Sequence, residues 1–351
     1  MKRTSNASLK SLNSFSIEAR AGQLMELESQ EDLKTFAAQH EFDPDRDLIL
    51  GAGSNILFTG DIPGTVVLNH VTGKSIIDPD VAPDAASGTG TVQLDISAGE
   101  NWHQLVLWSL KQGLSGLENL SLIPGLAGAA PIQNIGAYGV ELSDLLDSVR
   151  VLELHTGEFH QFSRQECEFS YRNSLFKAAA PGRYMITNVV LKLQRTFSPV
   201  LTYRGLRDEL SLMGIDEEQS PTAIQVSDAV IQIRQRKLPD PAVIPNAGSF
   251  FKNPVVPRSV SVPLSEQFPA LPVHAVDKNT DKLSAAWMIE QCGWKGQSMG
   301  DAAVSDRHAL VLVNRGQATG LELLKLANSI RQSVLDSFGV ELQPEPRIVR
   351  F

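Results

Sequence analysis

Ser249, Arg172 and Glu345 are side chains whose types and settings could move a proton or hold developing charge. Ser249 stands in Asn246-Ala247-Gly248-Ser249-Phe250-Phe251-Lys252-Asn253-Pro254, a dense run of small, aromatic, cationic and amide residues. As a bare motif it says only that a small hydroxyl sits where the backbone is permissive. Arg172 lies among aromatic and polar neighbours in Phe169-Ser170-Tyr171-Arg172-Asn173-Ser174-Leu175-Phe176-Lys177, and reads either as a strand cap or as a fixed cation in a cleft. Glu345 is held between Pro344 and Pro346, so its backbone is extended and stiff and its carboxylate rigidly presented. Alone, none of the three names a reaction.

Two glycine-bearing stretches offer places to hold a ligand. Ile123 to Glu141 contains four glycines and two prolines in nineteen residues, which excludes a regular helix or a central strand. It is nearly chargeless and carries Leu, Ile and Tyr, so it is no solvated linker. It reads either as a buried turn of a β-rich domain or as a loop whose amides approach a ligand, with Gln133 and Asn134 as side-chain donors and acceptors. Upstream, Leu48-Ile49-Leu50 runs as a strand into Gly51-Ala52-Gly53-Ser54-Asn55. The dinucleotide fingerprint needs a third glycine opening a helix, but Ile56 stands there and the chain turns into another strand, Thr65 to Asn69. A phosphate cradle of amides and a hydroxyl remains open to this turn.

The elements that must position these groups follow from periodicity. Val92 to Ser97 alternates as a strand, and a helix follows with Trp102, Leu105, Val106 and Leu110 on its buried stripe and Gly113 as its stop. Trp102 and Trp108 are expected in the core. Val149 to Leu154 and Phe159 to Phe162 form a hairpin, which places His155 and His160 at the surface, and Val189 to Leu193 is a further strand. Residues 1 to about 20 read as a polar lead-in, and a strand is expected from Pro199. A helix over Ala223 to Arg236 buries Val226, Val230 and Ile233. Its C-terminal Arg234-Gln235-Arg236-Lys237 cluster suits the helix dipole. Ser284 to Cys292 is helical with Cys292 in the core, His308 to Asn314 is a strand, and Thr319 with Glu322 forms a capping box for a final helix ending near Gly339.

Size and composition bound the function. A chain of 351 residues suggests two domains, and 42% hydrophobic with 20% charged residues is ordinary for a globular protein. Net charge of −9 argues against a nucleic-acid partner and leaves any anionic ligand to local cations. Cys167 and Cys292 lack metal-ligand spacing and read as reduced thiols, so no metal is expected. With no signal-peptide run and no stretch of membrane-span length, a cytoplasmic protein without membrane contact is expected.

Taken in order, these stretches resemble the UDP-N-acetylenolpyruvoylglucosamine reductases, flavoenzymes of early peptidoglycan synthesis. The matching pieces are Gly51 to Asn55, Ile123-Pro124-Gly125 through Pro131 to Gly139, Tyr171 to Ser174, Asn246 to Pro254 and Pro344-Glu345. Tyr203 in Leu-Thr-Tyr is similar to the type I form of the family. The resemblance implies an α+β protein: a two-lobed FAD-binding region of the vanillyl-alcohol-oxidase (PCMH) type over 1–200, with lobes of about 1–75 and 76–200. A substrate-binding domain would cover 201–351, its last residues returning to the site. It implies reduction of UDP-N-acetylglucosamine enolpyruvate to UDP-N-acetylmuramate by a monomer. NADPH would first reduce FAD and leave, and the sugar nucleotide would follow it into the cleft.

Roles carried by the resemblance fall on matching residues. Arg172 and Glu345 would stabilise the enolate-like intermediate after hydride passes from flavin N5 to C3, Glu345 needing a raised pKa to avoid repelling it. Ser249 would give the proton to C2. Tyr203, Lys237 and Asn253 would grip the diphosphate and sugar. The FAD contacts would come from Gly51, Gly53, Ser54, Asn55, Ile123, Pro124, Gly125, Gly128, Ala129, Gln133, Asn134, Gly136, Arg234 and Arg347. Ala129 and Ala130 stand where some members carry serine, which leaves flavin contacts there to backbone amides. Pro346 stands where a small apolar residue is common, stiffening the carboxylate. Another FAD-dependent oxidase or dehydrogenase on the same scaffold is the alternative, but it has no reason to carry both Asn246 to Pro254 and Pro344-Glu345.

Overall fold

Val92, Leu94 and Ile96 are buried and alternate with half-buried neighbours along the strand Thr91–Ser97, the period-two pattern of a one-sided sheet. The computed structural model describes residues 1–39, 42–77, 90–216 and 218–350. The chain folds into two compact units. The first is Met1–Ala7, Ala21–Ala52 and Ile62–Arg234; the second is Ser8–Arg20, Gly53–Asp61 and Gln235–Phe351. Compactness therefore divides the chain at Arg234 rather than at residue 200, and two N-terminal segments join the later residues.

The first unit contains two sheets. One has the order Lys2–Ser8, Arg20–Leu27, Ile62–Asn69, Leu48–Leu50, with Ile62–Asn69 parallel to the strands on both sides. The expected polar lead-in is thus a strand. Its side chains are almost all exposed, so it carries no alternation to read. The other sheet is antiparallel throughout, in the order Phe159–Ser163, Leu146–Glu153, Tyr184–Gln194, Thr91–Ser97, Lys74–Ile77. The helix Trp102–Lys111 covers it, capped by the Asn101 side chain, which accepts from the Gln104 amide. Trp102 is buried and donates from Nε1 to the Leu120 carbonyl, while Trp108 is half-buried with the Lys74 ammonium 5.6 Å from its ring centroid. Leu105 and Val106 are fully buried, each contributing about 1.5–3 kcal/mol of burial.

Past residue 197 no strand forms at Pro199. The helices Arg204–Leu212 and Ala223–Lys237 instead pack Leu206, Leu210, Val226, Val230 and Ile233 into one cluster, with Tyr138, Phe197 and Leu201 against it. That cluster moves the unit boundary to Arg234.

In the second unit the sheet order is Asn246–Ser249, Val311–Asn314, Ala302–Val304, Ser298–Met299, all antiparallel. The strands Val255–Pro257, Thr280–Leu283 and Val273–Ala275 form a second small sheet. Arg347–Val349 pairs in parallel with Ile56–Phe58. The capping box forms: Thr319 and Glu322 start the helix Gly320–Phe338, which Gly339 ends at φ +65°. Ser284 caps the helix Ala285–Gln291, but Cys292 is half-buried rather than in the core, its thiol directed at the Ser333 carbonyl. No described helix is long and apolar enough to cross a membrane. Mixed and antiparallel sheets with packed helices make the fold α+β.

Candidate active site

In the second unit, Ser249 is presented by a bulge. Asn246 pairs with Val313 and Ser249 with Val311, so one extra residue is inserted in the Asn246–Ser249 strand. Gly248 absorbs it at φ +70°, a conformation that disfavours any side chain. Asn246 fixes the bulge from below. Its buried side chain donates to the Pro239 and Ile244 carbonyls and accepts the Gly248 amide, at 3.0, 2.8 and 2.8 Å. Ser249 is half-buried, and among the described residues its hydroxyl has no hydrogen-bond partner.

Glu345 reaches the same strand. Its amide donates to the Phe250 carbonyl at 2.8 Å, and the Lys252 amide donates to the Gln343 carbonyl at 3.0 Å. Phe250 and Phe251 are buried beneath, in edge contact with one another. Asn55 secures the other side: its Nδ2 donates to the Glu345 carbonyl at 3.4 Å and its carbonyl accepts the Arg347 amide at 3.0 Å. Gly51 and Ala52 belong to the first unit and Gly53 to Asn55 to the second. A Cβ at Gly53 would lie 1.9 Å from the Leu12 carbonyl oxygen, so packing already explains that glycine.

Asn253 is half-buried and accepts the Ala285 amide on Oδ1 at 3.0 Å, which directs its amide nitrogen elsewhere. Lys237 lies near enough to His308 to disfavour its protonation. Burial lowers the pKa of that imidazole first, and Lys237 and Lys295 lower it further. The Leu310 amide donates to His308 Nδ1 at 3.2 Å, so the neutral ring carries its proton on Nε2. Sequence reasoning misses Lys295 and His308; neither has a spacing signal, and only folding brings Lys237 and Lys295 within electrostatic range of His308.

In the first unit the glycine-rich loop is woven into the core. Ala127, Ala130 and Ile135 are buried with the Trp102 helix, and Ile123 packs against that cluster. The loop consists of two short 3-10 turns, Ala127–Ala129 and Pro131–Gln133, then a hairpin of Gly136–Ala137 and Val140–Glu141. Its amides are largely committed: Ala127 donates to the Glu100 carbonyl and Gly128 to that of Ala98, and the Gly125 carbonyl accepts from Trp102. A Cβ at Gly128 would come within 2.5 Å of Ala98 Cβ. Ala129 lies against Gly51. The Asn134 side chain is fully buried and spent on the protein, so what this position can offer a ligand is backbone. In the same loop Gln133 is half-buried and Pro124 is exposed.

Arg172 is pinned to that loop. Its Nη2 donates to the Gly136 carbonyl at 2.5 Å and Nη1 to the Asn134 carbonyl at 3.4 Å. The residue itself is held at φ +55° within the Ser170–Asn173 turn. Left-handed backbone at a non-glycine residue costs about 1–3 kcal/mol and persists where its surroundings over-determine it. Arg234 lies close to Arg172 and Tyr138. Burial lowers its guanidinium pKa, with Arg172 adding to the effect, and among the described residues its buried Nε has no hydrogen-bond partner. Tyr138 and Gly139 form the hairpin tip, both at positive φ, and the Tyr138 ring meets Tyr203 edge-on at 5.0 Å.

Residues 240–349 match the family described as UDP-N-acetylenolpyruvoylglucosamine reductase, C-terminal domain, and residues 22–163 match the FAD binding domain family. A UDP-N-acetylenolpyruvoylglucosamine reductase of an Azoarcus species is 45% identical over 99% of this chain and 97% of its own. The chain belongs to the UDP-N-acetylenolpyruvoylglucosamine reductase family. A reductase of that name from Xanthomonas euvesicatoria is 46% identical over 98% of this chain and 95% of its own, and one from Burkholderia pseudomallei is 42% identical over 97% and 95%. The crystal structure of the reductase from Thermus caldophilus superposes with a TM-score of 0.65 at 25% identity, covering 99% of this chain and 98% of that one.

Membership in the reductase family makes the protein an FAD-dependent oxidoreductase of peptidoglycan precursor synthesis, with NADPH as reductant and the enolpyruvyl sugar nucleotide as substrate. The residues present suit such a cofactor. A cation with an unsatisfied buried N–H at Arg234 faces a nearly chargeless loop, and an electron-rich flavin edge would supply the acceptor it lacks.

Proposed function

We propose that Ser249, Arg172 and Glu345 divide the reduction of the enolpyruvyl group among them. Bound FAD would supply the hydride to C3, having taken it from NADPH. An enol ether is electron-rich and accepts hydride poorly unless its carboxylate is polarised. The Arg172 guanidinium, fixed by two carbonyls, is aimed at the charge that develops there, a kind of preorganised contact typically worth about 3–4 kcal/mol. Glu345 acts on the same charge in its protonated form, since an ionised carboxylate would repel an enolate.

Ser249 gives its proton to C2, completing the addition of hydride and proton across the double bond. A serine hydroxyl is a weak acid, but the carbanion-like centre is a strong base, so position matters more than acidity. The observation that carries this role is the Ser249 hydroxyl itself, half-buried on the Gly248 bulge without a hydrogen-bond partner among the described residues. Tyr203, Lys237 and Asn253 hold the sugar nucleotide, the Lys237 ammonium serving the diphosphate. Backbone of the Gly51–Asn55 turn and of the Ile123–Gly136 loop, with Arg234 and Arg347, holds FAD. The enzyme acts as a cytoplasmic monomer.

The visible spectrum of the purified protein tests the reading. Anaerobic NADPH should bleach the flavin band, and UDP-N-acetylglucosamine enolpyruvate should restore it. Recolouring by oxygen alone at the same rate would point to an oxidase.

A further inference from the structure

Asn134 holds more hydrogen bonds than a turn residue needs. It is 0% exposed. Its Nδ2 donates to Glu141 Oε2 at 2.8 Å and to the Ser170 carbonyl at 3.3 Å, and its Oδ1 accepts the Ser143 amide at 2.9 Å. Its own carbonyl accepts from Arg172, two residues beyond Ser170. One side chain therefore ties together both segments that position the guanidinium: the loop whose carbonyls receive it and the turn that carries it. Glu141 closes the arrangement from the opposite strand of the hairpin, where it pairs with Gly136, the other carbonyl partner of Arg172. A methyl at Gly136 would lie 3.0 Å from both Arg172 Nη1 and Glu141 Cγ, so Gly136 packs closely against both side chains.

We propose that Asn134 and Glu141 are positioning residues for Arg172: their side-chain hydrogen bond sets where the guanidinium lies when the enolpyruvyl carboxylate binds. The inference rests on the role given above to Arg172. Backbone at φ +46° explains why a small polar residue is tolerated at 134. It does not explain three side-chain hydrogen bonds, one buried and two partly buried. A hydrogen bond between an amide and a carboxylate is stronger than one between neutral groups, and here it is partly shielded from water, so losing one partner leaves the other poorly satisfied.

The test is a polarity swap. Asn134→Asp keeps the acceptor for Ser143 but sets two carboxylates face to face. Asn134→Asp with Glu141→Gln restores one donor and one acceptor with their positions exchanged. Flavin reduction by NADPH, reoxidation by the sugar nucleotide, flavin content and thermal midpoint are measured for each. Expected is a loss of about 10- to 100-fold in the reoxidation rate for Asn134→Asp, less than about threefold in reduction, and recovery to within about fivefold in the double variant. The single variant's defect should also shrink as pH falls and one carboxyl of the pair takes up a proton.

A double variant no faster than the single one overturns the proposal, as does a single variant that loses flavin and slows both halves equally. Should Asn134→Asp fail to fold, Glu141→Ala supplies the comparison: a loss confined to reoxidation supports the proposal, and no loss refutes it. Arg172→Ala separates the two levels. If it leaves reoxidation unchanged, the role of Arg172 itself falls, whatever the swap shows.

Discussion

The amide of Glu345 donates to the carbonyl of Phe250 at 2.8 Å, so the carboxylate between two prolines is registered to the residue that follows Ser249. Two groups nearly a hundred positions apart in sequence thus share one strand edge, and a shift of either changes their spacing. The bulge at Gly248 and the stiff Pro344-Glu345-Pro346 backbone limit that spacing from both sides.

Removal of the Ser249 hydroxyl should separate the two halves of the reaction. In Ser249→Ala, NADPH should reduce the flavin at close to the normal rate, while reoxidation by the sugar nucleotide slows by about 10²–10⁴-fold. Rapid-mixing absorbance resolves the halves, and equal slowing of both would remove Ser249 from the proton-donor role.

Tyr203 is 40% exposed and its ring rests against Tyr138 at the hairpin tip. Tyr203→Phe keeps that edge contact and loses only the hydroxyl. Sugar-nucleotide affinity should weaken by about 0.5–1.5 kcal/mol with flavin content unchanged, as titration calorimetry of the holoenzyme would show. An unaltered affinity would exclude the hydroxyl from the substrate contacts.

Glu118 is 2% exposed, and burial raises its carboxyl pKa against the opposing hydrogen bond from the Gly116 amide at 2.7 Å. The folded carboxyl keeps its proton to higher pH than the unfolded one, so the native state binds more protons between the two pKa values. Its stabilising contribution is complete below the unfolded pKa and lost as pH rises through the folded one. Glu118→Gln keeps an acceptor for Gly116 and does not titrate. Its thermal midpoint relative to the parent should therefore rise from about pH 4 to about pH 7. A difference independent of pH would contradict this.

How much of the fold and site is legible in the sequence depends on the range of the interaction that fixes each feature. The capping box at Thr319 and Glu322 and the stripe of Val226, Val230 and Ile233 are local patterns, and both form as expected. The strand Lys2–Ser8 lies nearly naked at a sheet edge and offers no period to detect. Asn134 reads as a ligand contact because an amide in a glycine-rich loop looks available. Its partners Glu141, Ser143 and Ser170 show why it is not, and only the folded chain brings Ser170 to it. Likewise Lys237 and Lys295 come within electrostatic range of His308 solely through tertiary structure.

Cys167 and Cys292 should differ in reactivity. The Cys167 thiol is fully buried, and burial with the nearby Glu166 pushes its pKa up to about 12. Cys292 is half-buried. Alkylation of the folded protein near pH 8, followed by peptide mass spectrometry, should label Cys292 and leave Cys167 unmodified until denaturant is added. Equal labelling in the native state would show that the core around Cys167 opens readily.

The parallel pairing of Ile56–Phe58 with Arg347–Val349 sets an order on biogenesis. Phe58 is translated roughly 290 residues before Val349, an interval on the order of 15–60 s at about 5–20 residues per second. Throughout that time the short apolar strand Ile56–Phe58, buried in the finished protein, lacks its partner. The first unit has all its segments by Arg234 and can consolidate while synthesis continues, whereas the second cannot complete this pair until residue 349 has emerged. The nascent chain therefore carries this apolar segment without its final strand partner for most of its synthesis.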